Sequence, residues 1–225
     1  MNEAKQKMLF AEQKAKELFI TAEERGLIVP GKLESKLSEE IVSLAKNEFG
    51  IEKYWHKKIV RTGANTINSF SGNPPDRIIE NDDILFIDLG PIVDGYEADL
   101  GRTYVMGKNL SKLQLKDDVE TAWQEARDWY FHQDELTGAM YYNYLTALAK
   151  QYGWEYGGEI GGHIVGHFPH EQPDDPNDLG LDIHPDNHAS ILLLDKQGNK
   201  RNWILEIQFV DRAKNIGGFF EQLLM

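Results

Sequence analysis

The stretch that decides the fold is Asp88-Leu-Gly-Pro-Ile-Val-Asp-Gly-Tyr-Glu-Ala-Asp99-Leu-Gly-Arg-Thr-Tyr-Val-Met-Gly107. The apolar residues 84–87 come directly before it and predict a buried strand. Residues 98–106 are rich in Tyr, Thr and Val and predict a second strand. Between the two, Asp94-Gly95 is the strongest short signal for a tight turn. The stretch therefore predicts a β-hairpin.

This hairpin brings two aspartates to one face. If Asp94 and Gly95 form the loop, Asp88 pairs with Gly101, and Asp99 lies two positions before Gly101. Because side chains alternate between faces along a strand, the two carboxylates become diagonal neighbours. Two like charges this close in a buried sheet are costly unless a cation lies between them. Taken alone, the stretch is equally compatible with a surface hairpin that carries two solvated acids.

The composition describes an ordinary globular protein. The chain has 225 residues, of which 41% are hydrophobic and 27% charged, and its length allows either one domain or two small halves. The N-terminus continues into a charged helical pattern, and no run approaches the roughly 18 apolar residues of a membrane span. We therefore predict a cytoplasmic protein with no membrane partner.

Charge and cysteine content narrow the functional classes further. The formal net charge of −13 argues against a nucleic-acid partner. The chain has no cysteine, so that any bound metal must be held by oxygen and imidazole nitrogen.

The apolar patterns along the chain predict an α+β fold. Helices are predicted at residues 2–25, 33–49, 111–131 and 138–152, and strands at 54–62, 84–87, 98–106, 190–195, 203–210 and 218–225. Ser111 and Gln114 have the spacing of a capping box at the third helix. Residues 174–188 form an acidic loop in which Pro173, Pro176 and Pro185 oppose regular structure.

Three later segments carry further metal-compatible residues. Residues 161–171 hold three histidines and an acid among glycines, and single glutamates stand in two apolar strands. Each glutamate alone is more typical of the solvent face of a strand. Together the candidates form a set of four carboxylates and one imidazole: Asp88, Asp99, His163, Glu206 and Glu221. Such a set suits two divalent ions about 3.5–4 Å apart, which is chemistry for hydrolysing an amide or related bond.

The hairpin motif resembles that of the aminopeptidase P and prolidase branch of the pita-bread metallopeptidases. The matching residues are Asp88, Gly90, Gly95, Tyr96, Asp99, Arg102 and Thr103. The spacing of eleven positions between the aspartates matches, as does the interval from His163 to His170-Glu171. The resemblance implies the catalytic domain only, as a single metallopeptidase-like domain over residues 1–225. Its implied fold is α+β, with a curved, mostly antiparallel sheet covered by helices and two pseudo-twofold halves.

The resemblance also implies roles for the site residues. Asp99 and Glu221 would bridge two divalent ions, Asp88 would chelate one of them, and His163 with Glu206 would hold the other. His170 would hydrogen-bond the substrate, and Glu206 would transfer protons near the bridging water. Manganese is the favoured ion, with cobalt, iron and zinc as alternatives.

Several positions depart from the family pattern. Ile164 follows the His ligand where the family has Gly, and we expect it to crowd the site. Ile207 follows the first Glu ligand where the family has Pro. Residues 69–71, which include Phe70, stand where peptidase members place a histidine. No catalytic placement follows for His56, His132, His184 or His188. His167 could line the pocket, but a structural role is favoured.

Three functions remain open at this point. The favoured one is a dinuclear metallohydrolase acting on short peptides, with an Xaa-Pro bond as the candidate specificity. The second keeps the fold and the metals but acts on a non-peptide small molecule, and the third is a non-catalytic binding module. A homodimer could form through the aromatic-rich helix at residues 123–131.

Overall fold

The computed structural model describes residues 3–175 and 177–225. In these residues the chain forms four α-helices, ten strands and a short 3-10 helix at Gly63–Ile67. The helices are α1 (Glu3–Glu24), α2 (Glu34–Phe49), α3 (Leu110–Tyr130) and α4 (Gly138–Gln151). The strands are β1 (Lys53–Tyr54), β2 (Ile59–Thr62), β3 (Ile84–Leu89), β4 (Pro91–Val93), β5 (Tyr96–Glu97), β6 (Leu100–Val105), β7 (Glu155–Tyr156), β8 (Ile164–Val165), β9 (Asn202–Asp211) and β10 (Ile216–Leu223). Residue 2, in the predicted first helix, and Pro176, in the predicted acidic loop, lie outside the described residues.

The strands form one large and one small sheet, and every paired strand is antiparallel. In the large sheet the order is β2-β3-β6-β10-β9-β7, with β8 also pairing with β9. The small sheet has the order β1-β4-β5. The chain order of two helices, a flanking strand and a hairpin occurs twice, first from α1 to β6 and again from α3 to β10. Pairing of β6 with β10 joins these two halves at the centre.

Alternation along the strands separates an apolar face from an acidic one. In β3, Leu85, Ile87 and Leu89 pack in one core with side chains of α1 and α2. In β9, Leu205 and Ile207 pack with α3 and α4. Because neighbouring side chains point to opposite faces, the carboxylates of both strands lie on the face turned away from the helices.

The deciding hairpin has the predicted register. Asp88 pairs with Gly101, and Asp94 and Gly95 turn the chain with φ values of 49° and 80°. Two positive φ values are typical of a two-residue hairpin loop. The pairing is interrupted on both strands at Gly90-Pro91 and Ala98-Asp99, so that the tip pairs with β1 in the small sheet. The predicted strand at residues 98–106 therefore begins only at Leu100, after this bend, and ends at Val105.

The helix termini follow local capping chemistry. Gly50 closes α2 with a φ of 68°, as predicted. The predicted capping box at Ser111 is wrong, because Asn109 caps α3 by accepting from the backbone N–H groups of Ser111 and Lys112. None of the helices in the described residues has the length and apolar character needed to cross a membrane.

Two predicted strands need correction. The segment 54–62 is divided into β1 and β2, since its two ends pair with different sheets. Residues 190–195 form no strand. The Ser190 hydroxyl accepts from the Leu192 N–H, and the Asp195 carboxylate accepts from the N–H groups of Gln197 and Asn199. These local turns compete with strand pairing.

Candidate metal centre

Three carboxylates share one row across the four central strands. Asp88 of β3 pairs with Gly101 of β6, Gly101 pairs with Glu221 of β10, and Glu221 pairs with Glu206 of β9. Residues paired in this way lie on the same face of a sheet. Position 101 requires glycine, because a Cβ there would lie 2.4 Å from the Phe219 ring, which fills the space next to it.

Asp99 lies beside this row and faces a histidine with each of its oxygens. Its Oδ1 is 3.1 Å from His56 Nε2, and its Oδ2 is 3.2 Å from His163 Nε2. His163 Nε2 also lies 3.6 Å from Glu206 Oε1 and 3.9 Å from Glu221 Oε1. The structure thus brings all five sequence-predicted ligand candidates together, and it adds His56.

The donor set fits two divalent cations. Two groups of ligand atoms, each within 4.8 Å of one another, share Asp99: one with His56 and Asp88, the other with His163 and Glu221. The Glu221 Oε2 atom is buried and has no hydrogen-bond partner among residues 3–175 and 177–225, which leaves it free to accept a cation. Two divalent ions would balance the four carboxylates, and oxygen with imidazole suits hard or borderline metals.

Without a cation, ionising the clustered carboxyl groups costs free energy. Burial, reinforced by the neighbouring acids, raises the pKa of Asp88, Glu206 and Glu221. A group with a raised carboxyl pKa holds its proton more readily. Cation binding would therefore displace protons from this cluster.

The pKa values of the two imidazoles and of Asp99, by contrast, shift in the directions that favour their charged forms. Burial opposes imidazolium formation, but the adjacent carboxylates outweigh it and raise the pKa of His56 to about 10 and that of His163 to about 9. Burial would likewise raise the pKa of Asp99, but its contacts with both histidines lower it to about 2. In the metal-free protein the imidazolium groups thus supply the positive charge next to Asp99.

His170 stands next to this cluster and is oriented by Glu97. The buried Glu97 carboxylate accepts from His170 Nδ1–H at 2.8 Å and from the backbone N–H groups of His170 and Gly166. With Nδ1 engaged, His170 has Nε2 available for a substrate. Glu171, its sequence neighbour, instead forms a two-point ion pair with Arg201.

Arg102 and Thr103 of the hairpin motif join the two halves of the sheet. The Arg102 guanidinium donates to the backbone oxygen of Glu221 at 2.8 Å. The Thr103 hydroxyl donates to the Phe219 backbone oxygen and accepts from the Phe219 N–H. These bonds hold β6 against β10 and so set Asp99 next to Glu221.

The positions that depart from the family pattern lie in different surroundings. Ile164 and Ile207 are both buried in the core formed with α3 and α4, and Ile164 also borders the large cavity described below, so that its crowding of the site stays a prediction. Phe70 is half exposed, and its ring meets that of His56 edge to face at 5.8 Å. His167 is exposed, packs its ring against that of Tyr96 at 5.3 Å, and lines the same large cavity.

Sequence reasoning missed three residues of the site: Trp55, His56 and Glu97. The Trp55 ring lies between His56, His163 and His170, with ring centroids 4.5–5.6 Å apart. A signal existed in the aromatic run Tyr54-Trp55-His56, which interrupts a charged segment. This run reaches the site only because the hairpin bends and its tip pairs with β1.

A large cavity lies next to the centre. It has a volume of about 1100 Å³ and is lined by Tyr96, Val165, His167, His170 and Trp203 among others. Of the predicted site residues in the described chain, only His170 lines it. His170 therefore borders a space large enough for a small molecule or short peptide, and its ring also meets that of Trp55, which contacts His163.

Several solved structures share this fold. A prolidase from Thermococcus sibiricus is 24% identical, with a TM-score of 0.77 over 98% of this chain and 55% of that one. The prolidase from Pyrococcus furiosus is 23% identical, with a TM-score of 0.76 over 100% of this chain and 61% of that one. A methionine aminopeptidase from Rickettsia prowazekii is 15% identical, with a TM-score of 0.72 over 99% of this chain and 93% of that one. The fold is the pita-bread fold of these metallopeptidases, and the chain spans somewhat over half the length of the two prolidases.

The sequence match identifies the family. Residues 6–193 match the sequence model of metallopeptidase family M24. The chain belongs to this family. The matched stretch includes the hairpin and His163, whereas Glu206 and Glu221 lie beyond it. A search of curated proteins found no match.

Proposed function

We propose that this protein is a dinuclear metal-dependent hydrolase of short peptides, with an Xaa-Pro bond as its candidate specificity. The observation that carries the proposal is the pair of ligand groups that share Asp99. Family membership supports peptide hydrolysis in general, and the prolidase neighbours motivate the Xaa-Pro preference. Manganese is the proposed ion, with cobalt, iron or zinc as alternatives.

The carboxylates and imidazoles would divide between two ions. Asp99 and Glu221 would contact both, with Asp88 on one side and His163 with Glu206 on the other. Two bound divalent ions lower the pKa of a shared water and polarise a substrate carbonyl. The protein contributes rigid placement, because each carboxylate stands on or next to a strand of the central sheet.

Glu206 and His170 are the candidates for handling protons and substrate. Glu206 has a side-chain exposure of 15%, against 3% for Asp99 and Glu221, so that it is the carboxylate that substrate can best approach. It would accept a proton from the attacking water and pass it to the leaving amine. His170, whose Nδ1–H is held by Glu97, would hydrogen-bond the substrate through Nε2.

Phe70 favours a second candidate, a hydrolase that acts on a non-peptide small molecule. A half-exposed phenyl ring stands on the loop where peptidase relatives present an imidazole to the scissile amide. An apolar ring cannot hydrogen-bond that amide. A substrate with an apolar group at this place would gain contact area instead. The cytoplasmic location and the homodimer stay predictions from the sequence.

Metal stoichiometry tests the proposal. The protein is reconstituted with Mn²⁺ without oxygen and desalted, and bound metal is counted in wild type, Asp99→Ala and Asp117→Ala. Asp117 is an exposed aspartate on α3 and serves as the matched control. We expect close to two ions per chain in wild type and in Asp117→Ala, and loss of both in Asp99→Ala.

A panel of dipeptides and tripeptides then separates the remaining functions. Cleavage of Xaa-Pro substrates by the loaded protein supports the peptidase, and metal binding without any peptide cleavage favours the small-molecule alternative. Absence of metal from wild type contradicts both enzymatic proposals and favours a non-catalytic binding module.

A further inference from the structure

We propose that His56 is a sixth metal ligand, which binds the ion on the Asp88 side of the centre. This inference rests on the proposed metal-dependent function and adds a nitrogen ligand to an ion for which the sequence predicts only carboxylates. It would give each of the two ions one histidine.

The distances around the two histidines match. His56 Nε2 lies 3.1 Å from Asp99 Oδ1 and 3.6 Å from Asp88 Oδ1. His163 Nε2 lies 3.2 Å from Asp99 Oδ2 and 3.6 Å from Glu206 Oε1. Each imidazole thus faces one oxygen of the shared aspartate and one carboxylate of its own side.

Both imidazoles also donate Nδ1–H to a backbone oxygen, which is the arrangement that metal binding through Nε2 requires. His56 Nδ1–H donates to the backbone oxygen of Lys57 at 2.7 Å, and His163 Nδ1–H donates to that of Ile164 at 3.0 Å. In metal sites a ligating histidine commonly donates its other ring N–H to a carbonyl in this way. Nε2 of each ring is thereby left to bind a cation.

The chain around His56 is shaped to hold the ring in this place. The Trp55 N–H donates to the backbone oxygen of Gly90 at 3.0 Å, and the Trp55 indole N–H donates to that of Ala98. A Cβ on Gly90 would lie 2.1 Å from the His56 ring, so that only glycine leaves room for it. The His56 side chain is 7% exposed, which is uncommon for an imidazole without a structural or chemical role.

The repeated chain order gives the two histidines equivalent positions. His56 comes just before β2, which flanks the acid-bearing strand β3. His163 comes just before β8, which flanks the acid-bearing strand β9. The sequence shows no repeat, but the two halves place one imidazole next to each acidic hairpin.

Metal titration is the first test. Mn²⁺ binding by wild type, His56→Gln and His132→Gln is followed by calorimetry, with His132 as an exposed histidine outside the centre. We expect wild type and His132→Gln to bind two ions alike. In His56→Gln one of the two affinities should fall at least tenfold, because losing even a hydrogen-bond partner of a metal ligand costs about 10- to 100-fold.

A second measurement keeps His56 intact. His163→Gln, labelled with ¹⁵N-histidine and loaded with less than one Mn²⁺ per chain, is studied by electron spin echo envelope modulation. We expect an imidazole ¹⁵N coupling, which should persist in His132→Gln/His163→Gln and vanish in His56→Gln/His163→Gln. This readout does not require the His56 single variant to fold.

The outcomes separate this inference from the proposed function. Two ions in wild type, with unchanged affinities in His56→Gln and no ¹⁵N coupling in His163→Gln, would overturn the sixth ligand alone. In that case His56 would serve the substrate or the metal-free fold. A wild-type protein that binds no ion would overturn both.

Discussion

At the scale of single residues, the centre is organised by carboxylates that each serve two partners. Asp99 presents one oxygen to His56 and the other to His163. Glu97 likewise serves two groups, because one of its oxygens accepts from the backbone N–H of His170 and the other from the His170 ring. Buried carboxylates in such places are tolerated only when every oxygen has a donor or a cation.

Replacing Glu97 with Gln is expected to release His170. The amide NH₂ group cannot accept a hydrogen bond, so that at least one of the three N–H groups now bound by Glu97 loses its acceptor. We expect a loss of about 1–3 kcal/mol in the free energy of unfolding and a changed His170 tautomer in ¹⁵N NMR spectra. Activity on any substrate found should fall mainly in kcat.

Glu52→Gln is the control for this variant, because Glu52 is an exposed glutamate that pairs with Lys46 on the surface. It should alter neither stability nor the His170 spectrum. An unchanged His170 tautomer in Glu97→Gln would show that Glu97 does not orient the ring.

At the scale of elements, the loop that carries Phe70 is held by one buried guanidinium. Arg61 of β2 donates to the backbone oxygens of Asn68, Ser69 and Gly72 at 2.5–2.7 Å. Glu159 ties the same loop from outside by accepting from the hydroxyl groups of Ser69 and Ser71. The position of Phe70 is therefore determined by the large sheet and not by the loop sequence alone.

Arg61→Lys should loosen this loop without emptying the metal centre. A lysine ammonium has the charge but not the planar set of donors that spans several carbonyls. We expect faster hydrogen exchange in residues 66–73, unchanged metal stoichiometry, and a loss of about 1–3 kcal/mol in the free energy of unfolding from unsatisfied carbonyls.

Arg25→Lys provides the comparison, because Arg25 is exposed and pairs with Glu48. It should leave exchange in residues 66–73 as in wild type. Equal protection of the loop in Arg61→Lys and wild type would mean that the loop is held by its other contacts.

At the scale of the whole molecule, the two halves meet along a short seam that also carries the acids. Within the described chain only Glu221 and Gly101 pair directly between β10 and β6, and Arg102 and Thr103 supplement this pairing with side-chain bonds. Ions bound across this seam would link the halves. An ion present at about 100 times its Kd would add about 2.7 kcal/mol of stability.

The stability of the metal-free protein should fall as the pH rises above neutrality. The raised pKa values of the buried carboxyls and of His56 and His163 mean that the folded chain holds protons more tightly than the unfolded chain. The imidazole contribution is fully present below about pH 6.5 and is lost as the pH rises through about 9 to 10. Asp99, with its pKa lowered to about 2, contributes stability that is lost only in acid.

Thermal unfolding of chelator-treated protein between about pH 6.5 and 9.5 measures this effect. We expect the Tm to fall across the range, and saturating Mn²⁺ to remove most of the fall because metal replaces the bound protons. His132→Gln should follow wild type, whereas Glu206→Gln should fall less steeply. A metal-free Tm that is constant or rises over this range would contradict the raised pKa values.

Local chemistry in the sequence determined much of the fold. The turn at Asp94-Gly95 and the alternation on either side were enough for the register of Asp88 with Gly101. The ends of α2 and α4 follow from Gly50 and Gly153, both of which have positive φ values. Residues 190–195 were misassigned because an apolar run has no periodicity that distinguishes a strand from a turn held by Ser and Asp side chains.

The site divides in the same way between sequence and tertiary structure. The order and spacing of Asp88, Asp99 and His163 were readable, because strand alternation and a family pattern are properties of the chain itself. Only the tertiary structure decided the places of His56 and Glu97. The bent hairpin pairs its tip with β1, which brings His56 to Asp99, 43 positions later in the chain, and Glu97 to His170, 73 positions later. Contacts over such distances depend on which strands pair, and the periodicity of a single strand carries no information about that choice.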